Sequence, residues 1–81
     1  MSEPIRSERH EQLRSILKER RIEAGLTQAE LSARLGKPQS FIAKIETAER
    51  RVGVLDALDI YVALGGGARD LADDLERLTT P

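Results

Sequence analysis

Gln39, Ser40, Ala43, Lys44 and Thr47 have the residue types and the spacing to do one kind of chemistry together. On a helical wheel turning ~100° per residue they share an arc of roughly 140°, and all five are small or polar. Phe41, Ile42, Ile45 and Glu46 fill the remaining arc, which gives the segment an aliphatic side and a side without an acid. A Gln amide, a Ser hydroxyl and a Lys amine can hydrogen-bond base edges in the major groove, Gln suiting adenine and Lys suiting guanine, while Ala can lie against a thymine methyl. In a chain that is 33% charged, an exposed helical face would ordinarily carry Glu or Asp. The competing reading is a merely solvated face.

Other chemistries find little here. His10 is the single imidazole and there is no cysteine, so paired-His metal sites, zinc fingers, iron-sulfur clusters and thiol nucleophiles cannot be built. Asp73 and Asp74 are adjacent on a helical segment and point in different directions, which is wrong for a shared acid/base site. Gly65, Gly66 and Gly67 lack the Lys-Ser/Thr that a phosphate-binding loop needs, and they follow a helical segment. An enzyme is therefore not expected, and no cofactor is expected.

The elements that would position the polar face can be read from spacing. Met1–Arg6 contains a Pro and no periodicity, and is expected to be a flexible arm. From Ser7, a candidate N-cap, Leu13, Ile16, Leu17 and the Arg20/Arg21 pair recur at helical spacing until Gly25. Thr27 and Glu30 have capping-box spacing and open a second helix from Gln28 to Leu35. Gly36 suits the left-handed turn that ends it. Pro38 opens a short third helix, about Gln39 to Thr47. Gly53 caps a fourth, with Val54, Leu58, Tyr61 and Leu64 turned toward a core. Beyond the three glycines, Leu71, Leu75 and Leu78 with Ala72 make a fifth amphipathic helix. These leucines either pair two copies of the chain or close the core of one. The division expected is an arm at 1–6, a helix-turn-helix domain at 7–65 and a C-terminal amphipathic helix at 66–81.

Eighty-one residues suffice for one small domain. The apolar residues are mostly aliphatic, with Phe41 and Tyr61 the only aromatics, a composition suited to packed helices. A core this small is marginal alone and gains from oligomerisation. The net charge of -1 conceals a division: residues 1–51 carry +3 and residues 52–81 carry -4. Attraction to phosphates needs local positive charge, because screening limits its reach to roughly 8 Å at physiological salt. No apolar run approaches the ~20 residues of a membrane span, and a cytoplasmic location is expected.

Leu17 to Leu64 resembles the Cro/CI-type (XRE) helix-turn-helix regulators. The resemblance is carried by Gly25-Leu26-Thr27-Gln28, Glu30-Leu31, Leu35-Gly36, Gln39-Ser40 through Ile42, Ile45 and Glu46, and the Ala63-Leu64-Gly65 stop. It implies an all-α, five-helix, lambda-repressor-like DNA-binding domain whose third helix enters the major groove, usually as a homodimer on a two-fold operator. By position, Gln39, Ser40 and Lys44, with Ala43 beside them, are expected to read bases, and Gln28 to hold a phosphate at the start of the second helix. Arg21 and Glu46 fall where relatives brace the first helix against the third with an ion pair. Lys37, Arg50 and Arg51 flank the reading helix and are candidates for phosphate contacts. The chain departs from the family pattern at Ser32, Lys37, Pro38 and Ala48. Pro38 removes a side-chain cap, and Ala48 stands where Gly is frequent, so the third helix is expected either to run on or to exit differently.

These readings lead to a sequence-specific, double-stranded DNA-binding transcriptional regulator, a repressor acting as a dimer on a palindromic operator. The alternative is a protein-interaction module, such as an antitoxin, whose acidic C-terminal third covers a partner protein.

Overall fold

The structure is a computed structural model and describes residues 8–78. The arm at 1–6 and the Ser7 cap lie outside the described residues. Five helices follow in order: α1 (Glu8–Glu23), α2 (Gln28–Arg34), α3 (Phe41–Glu46), α4 (Val54–Ala63) and α5 (Ala68–Glu76). The fold is all-α, with no strand among the described residues.

Each of α1 to α4 ends in the same way. The first residue past the cap is in the left-handed region and donates back three residues, and the next donates back five, the Schellman arrangement. After α2, Gly36 (φ 66°) donates to Ala33 O and Lys37 to Ser32 O, both at 3.0 Å. Gly25 and Gly65 take the equivalent positions after α1 and α4. After α3 the position belongs to Ala48, the one non-glycine residue with positive φ (67°) among the described residues, donating to Ile45 O at 3.1 Å while Glu49 reaches Lys44 O at 2.8 Å. Neither a longer helix nor an altered exit results. The bonds to the last carbonyls of α3 hold the turn, and the Ala48 methyl, buried in the body, offsets part of the strain.

The N-termini use side chains. Thr27 Oγ1 accepts from Glu30 N at 3.0 Å and Glu30 Oε1 accepts from Thr27 N at 2.8 Å, a complete capping box. The Thr27 N–H, and after it the Thr27 hydroxyl, hold the Glu30 carboxyl below its usual range. Asp56 accepts from Gly53 N and Asp70 from Gly67 N in the same N3-to-cap sense. α3 starts two residues later than its periodicity suggests. Gln39 and Ser40 form a turn closed by Phe41 N donating to Pro38 O, because Pro38 has no N–H and Ser40 makes no side-chain cap. The missing cap comes from another helix: Ser32 Oγ, fully buried on α2, accepts from Ile42 N at 3.1 Å.

Leu13, Leu17, Leu31, Phe41, Ile42, Ile45, Ala57, Ile60, Tyr61 and Leu71 form the core, with Leu26, Leu35, Val52, Leu58, Leu64 and Leu78 half-buried around it. Val54, expected to turn inward, is 70% exposed, since the buried stripe of α4 begins one turn later at Ala57. On α5 the expected Leu71-Leu75-Leu78 stripe is corrected to Leu71, Asp74 and Leu78. Leu71 is 5% exposed and Asp74 1%, whereas Leu75 is 39% exposed. Leu71 therefore closes the core of one chain and has no surface left for a second copy. Asp74 can face inward because Arg20 donates to it through Nε (3.0 Å) and Nη2 (2.9 Å), Tyr61 through its hydroxyl (2.5 Å) and Arg77 through Nη1 (3.2 Å). These donors, Arg20 foremost, pull the Asp74 carboxyl down to about 2 against the opposing effect of burial. Burial and the adjacent carboxylate push the Tyr61 phenol up. α5, an acidic helix, is thus fastened to α1 and α4 by one buried carboxylate. No described helix is long and apolar enough to cross a membrane.

Candidate nucleic-acid interface

The helix-turn-helix is α2, the Leu35–Ser40 turn and α3, which pack directly against each other while α1 backs α3. Ile42 and Ile45 anchor α3 inward. Of the residues expected to read bases, Gln39, Ser40 and Lys44 are exposed and Ala43 is half-buried. No part of the described residues covers Gln39, Ser40 or Lys44, although Gln39 and Ser40 lie in the turn before the helix rather than on it.

That surface is divided into two clefts that share Ser40. A neutral cleft of about 490 Å³ is lined by Gln28, Ala29, Gln39, Ser40 and Ala43. A cationic cleft of about 300 Å³ is lined by Lys37, Pro38, Ser40, Phe41, Lys44 and Arg50. Lys44 lies on the cationic side, apart from Gln39 and Ala43. Lys37 Nζ is 5.5 Å and Arg50 Cζ 4.8 Å from the centroid of the Phe41 ring, within cation–π range. Arg50 also meets Asp56 at a loose 3.8 Å. Arg51 is exposed beside Arg50.

Behind the surface runs a chain of side chains. Arg21 grips Glu46 with Nε at 2.8 Å and Nη2 at 3.1 Å, and its Nη1 donates to Leu26 O at 2.8 Å. Both partners are largely buried, so the ion pair locks α3 to α1 and to the loop that leads into α2. Gln28 Nε2 donates to Glu46 Oε1 at 2.7 Å. One amide hydrogen of Gln28 is thereby committed to the scaffold, and a primary amide has a second to offer a ligand. Arg34, at the end of α2, donates to Ala63 O at 3.1 Å and caps α4.

Sequence reasoning passed over three of these parts. Ser32 reads in the sequence only as a departure from the family pattern, although it is the acceptor available to a helix opened by Pro. Asp74 lies three residues after Leu71 on the same helical face, but the leucine pattern hides it until Arg20 is seen beside it. The Phe41 ring under two cations was hidden because Lys37 lies in the turn before α3 and Arg50 arrives there only through the turn at Ala48.

Residues 17–71 match the family model described as helix-turn-helix. Among solved structures, an XRE-family like protein from Pseudomonas syringae pv. tomato str. DC3000 is 44% identical, covers 89% of this chain and 88% of its own, and superposes with a TM-score of 0.78. An arginine-to-alanine mutant of the restriction-modification controller protein C.Esp1396I is 20% identical, covers 88% of this chain and 95% of its own, and also gives 0.78, a likeness of fold. No curated relative matches the chain. With the family model spanning well over half of the sequence and the Pseudomonas protein similar along nearly all of it, the chain belongs to the XRE-type helix-turn-helix family of DNA-binding regulators.

Proposed function

We propose that the protein is a sequence-specific regulator that binds duplex DNA as a homodimer across a two-fold operator and represses by occupying a promoter, in the cytoplasm. The observation that carries this reading is the acid-free surface of exposed Gln39, Ser40 and Lys44 with half-buried Ala43, set beside Gln28. Gln39, Ser40 and Ala43 read base edges, and Gln28 offers its second amide hydrogen to the backbone. Lys37, Arg50 and Arg51 supply sequence-independent attraction. Dimerisation is supported by apolar side chains that one copy leaves in water: Leu75 on α5, and Val54, Leu55 and Val62 on α4.

Selection of bound fragments from random duplex DNA, followed by footprinting, tests the reading. The expected result is a consensus of two inverted half-sites with centres about 34 Å apart, one turn of the duplex. Recovery of no consensus, together with capture of a protein partner through the acidic α5, would instead favour the interaction module.

A further inference from the structure

We propose that the cationic cleft is a receptor for a single phosphodiester group of the duplex backbone, and that Phe41 is the residue that positions its cations. The inference rests on the DNA-binding reading above and deepens it. Lys37, Lys44 and Arg50 line one cleft of about 300 Å³ whose wall contains no acid. Like charges gathered in this way repel, and two features offset the repulsion. The Phe41 ring presents its negative π face to Lys37 and Arg50 at 5.5 and 4.8 Å, and Asp56 touches Arg50 at 3.8 Å. Lys44 has neither of these partners. A group with concentrated negative charge, placed among the three, completes the arrangement.

A backbone phosphate fits because the neutral cleft shares Ser40 with the cationic one, so a duplex seated with its bases against Gln39 and Ala43 carries its strand past Ser40. Phe41 is largely buried, which fixes the ring and, through it, the two cations that lie over it. Lys44 is then a backbone holder, and the residues that read sequence are reduced to Gln39, Ser40 and Ala43.

Fluorescence anisotropy against the selected duplex and a scrambled duplex of equal length, across a salt series, tests this. Lys44→Gln should weaken binding by the same factor on both duplexes, roughly three- to ten-fold. The triple variant Lys37→Gln/Lys44→Gln/Arg50→Gln should lower the log-log salt slope by about 0.9 per protomer, as for one phosphate released from its counterions. Phe41→Leu should weaken both duplexes about three-fold or more with the slope retained, and Phe41→Tyr, which keeps an aromatic face, should restore affinity. In the Phe41→Leu background, Lys37→Gln and Arg50→Gln should cost less than in the wild type. A Lys44→Gln effect confined to the selected duplex overturns the inference. So does a slope loss of about 0.9 for each cation separately, which means three phosphates. Full additivity between Phe41→Leu and the cation variants removes Phe41 as the positioning residue. If Phe41→Leu does not fold by circular dichroism, the Lys44 comparison and the triple-variant slope still decide the receptor. Wild-type protein that binds neither duplex sinks the DNA reading itself, whereas binding with the wrong variant pattern sinks only the cleft.

Discussion

Asp74 is buried with Arg20, Tyr61 and Arg77 donating to its two oxygens, and its acidity has a consequence for stability. Its carboxyl titrates at about 2 in the folded chain, against roughly 4 when unfolded. Above pH 4 both states are ionised and the full stabilisation is present. As the pH falls from 4 toward 2 the unfolded chain takes up a proton that the folded chain refuses, and stability drains away. Asp74→Asn should therefore cost about 2 kcal/mol at neutral pH and flatten the loss between pH 4 and 2, as read by urea melts at several pH values. An unchanged acid limb would assign the acid sensitivity to other carboxylates. Ser32 is the second residue on which much depends. Ser32→Ala leaves the buried Ile42 N–H without an acceptor and should cost about 1–3 kcal/mol, with faster hydrogen exchange at the Ile42 amide.

At the scale of elements, α3 is only six residues long and holds its place through what surrounds it. Isolated helices of that length do not form in water, so its geometry is imposed by Ile42 and Ile45 in the core, the Ser32 cap and the Glu46 anchor. Glu46→Gln removes a charge that Arg21 needs and should destabilise by about 3 kcal/mol, while also loosening Gln28. Melting temperature and DNA affinity should fall together. A variant of full stability with lowered affinity would show that Glu46 acts on Gln28 alone. The number, order and ends of the helices were legible because capping signals are local: Thr27 with Glu30, and Gly25, Gly36 and Gly65 at helix exits. The start of α3 was not, since a Pro and a Ser made local periodicity extend two residues too far. Nor was the inward face of α5, because a leucine count favours Leu75 over Asp74 until the partners of the carboxylate are known. That Gln39, Ser40 and Lys44 stand exposed was legible from residue types. The division of that surface into a neutral and a cationic part was not, because it depends on where the chain after Ala48 returns Arg50.

For the whole molecule, the proposed homodimer draws its seam from the apolar side chains that one copy leaves exposed, Leu55 and Leu75 among them. Leu55→Glu and Leu75→Glu alter exposed positions and should leave the fold intact. They should raise the dimer dissociation constant at least ten-fold in sedimentation equilibrium, and steepen the concentration dependence of DNA binding. Unchanged self-association in both variants would place the seam elsewhere.

Gln28 belongs at once to the scaffold and to the proposed contact surface, since it bonds to the same carboxylate that Arg21 clasps. Gln39 and Ser40 stand exposed in a turn and have no such second duty among the described residues. On the proposed reading, a change of target site is thus open at positions 39 and 40 with little effect on folding. Any replacement of Gln28 has to be bargained for in folding first.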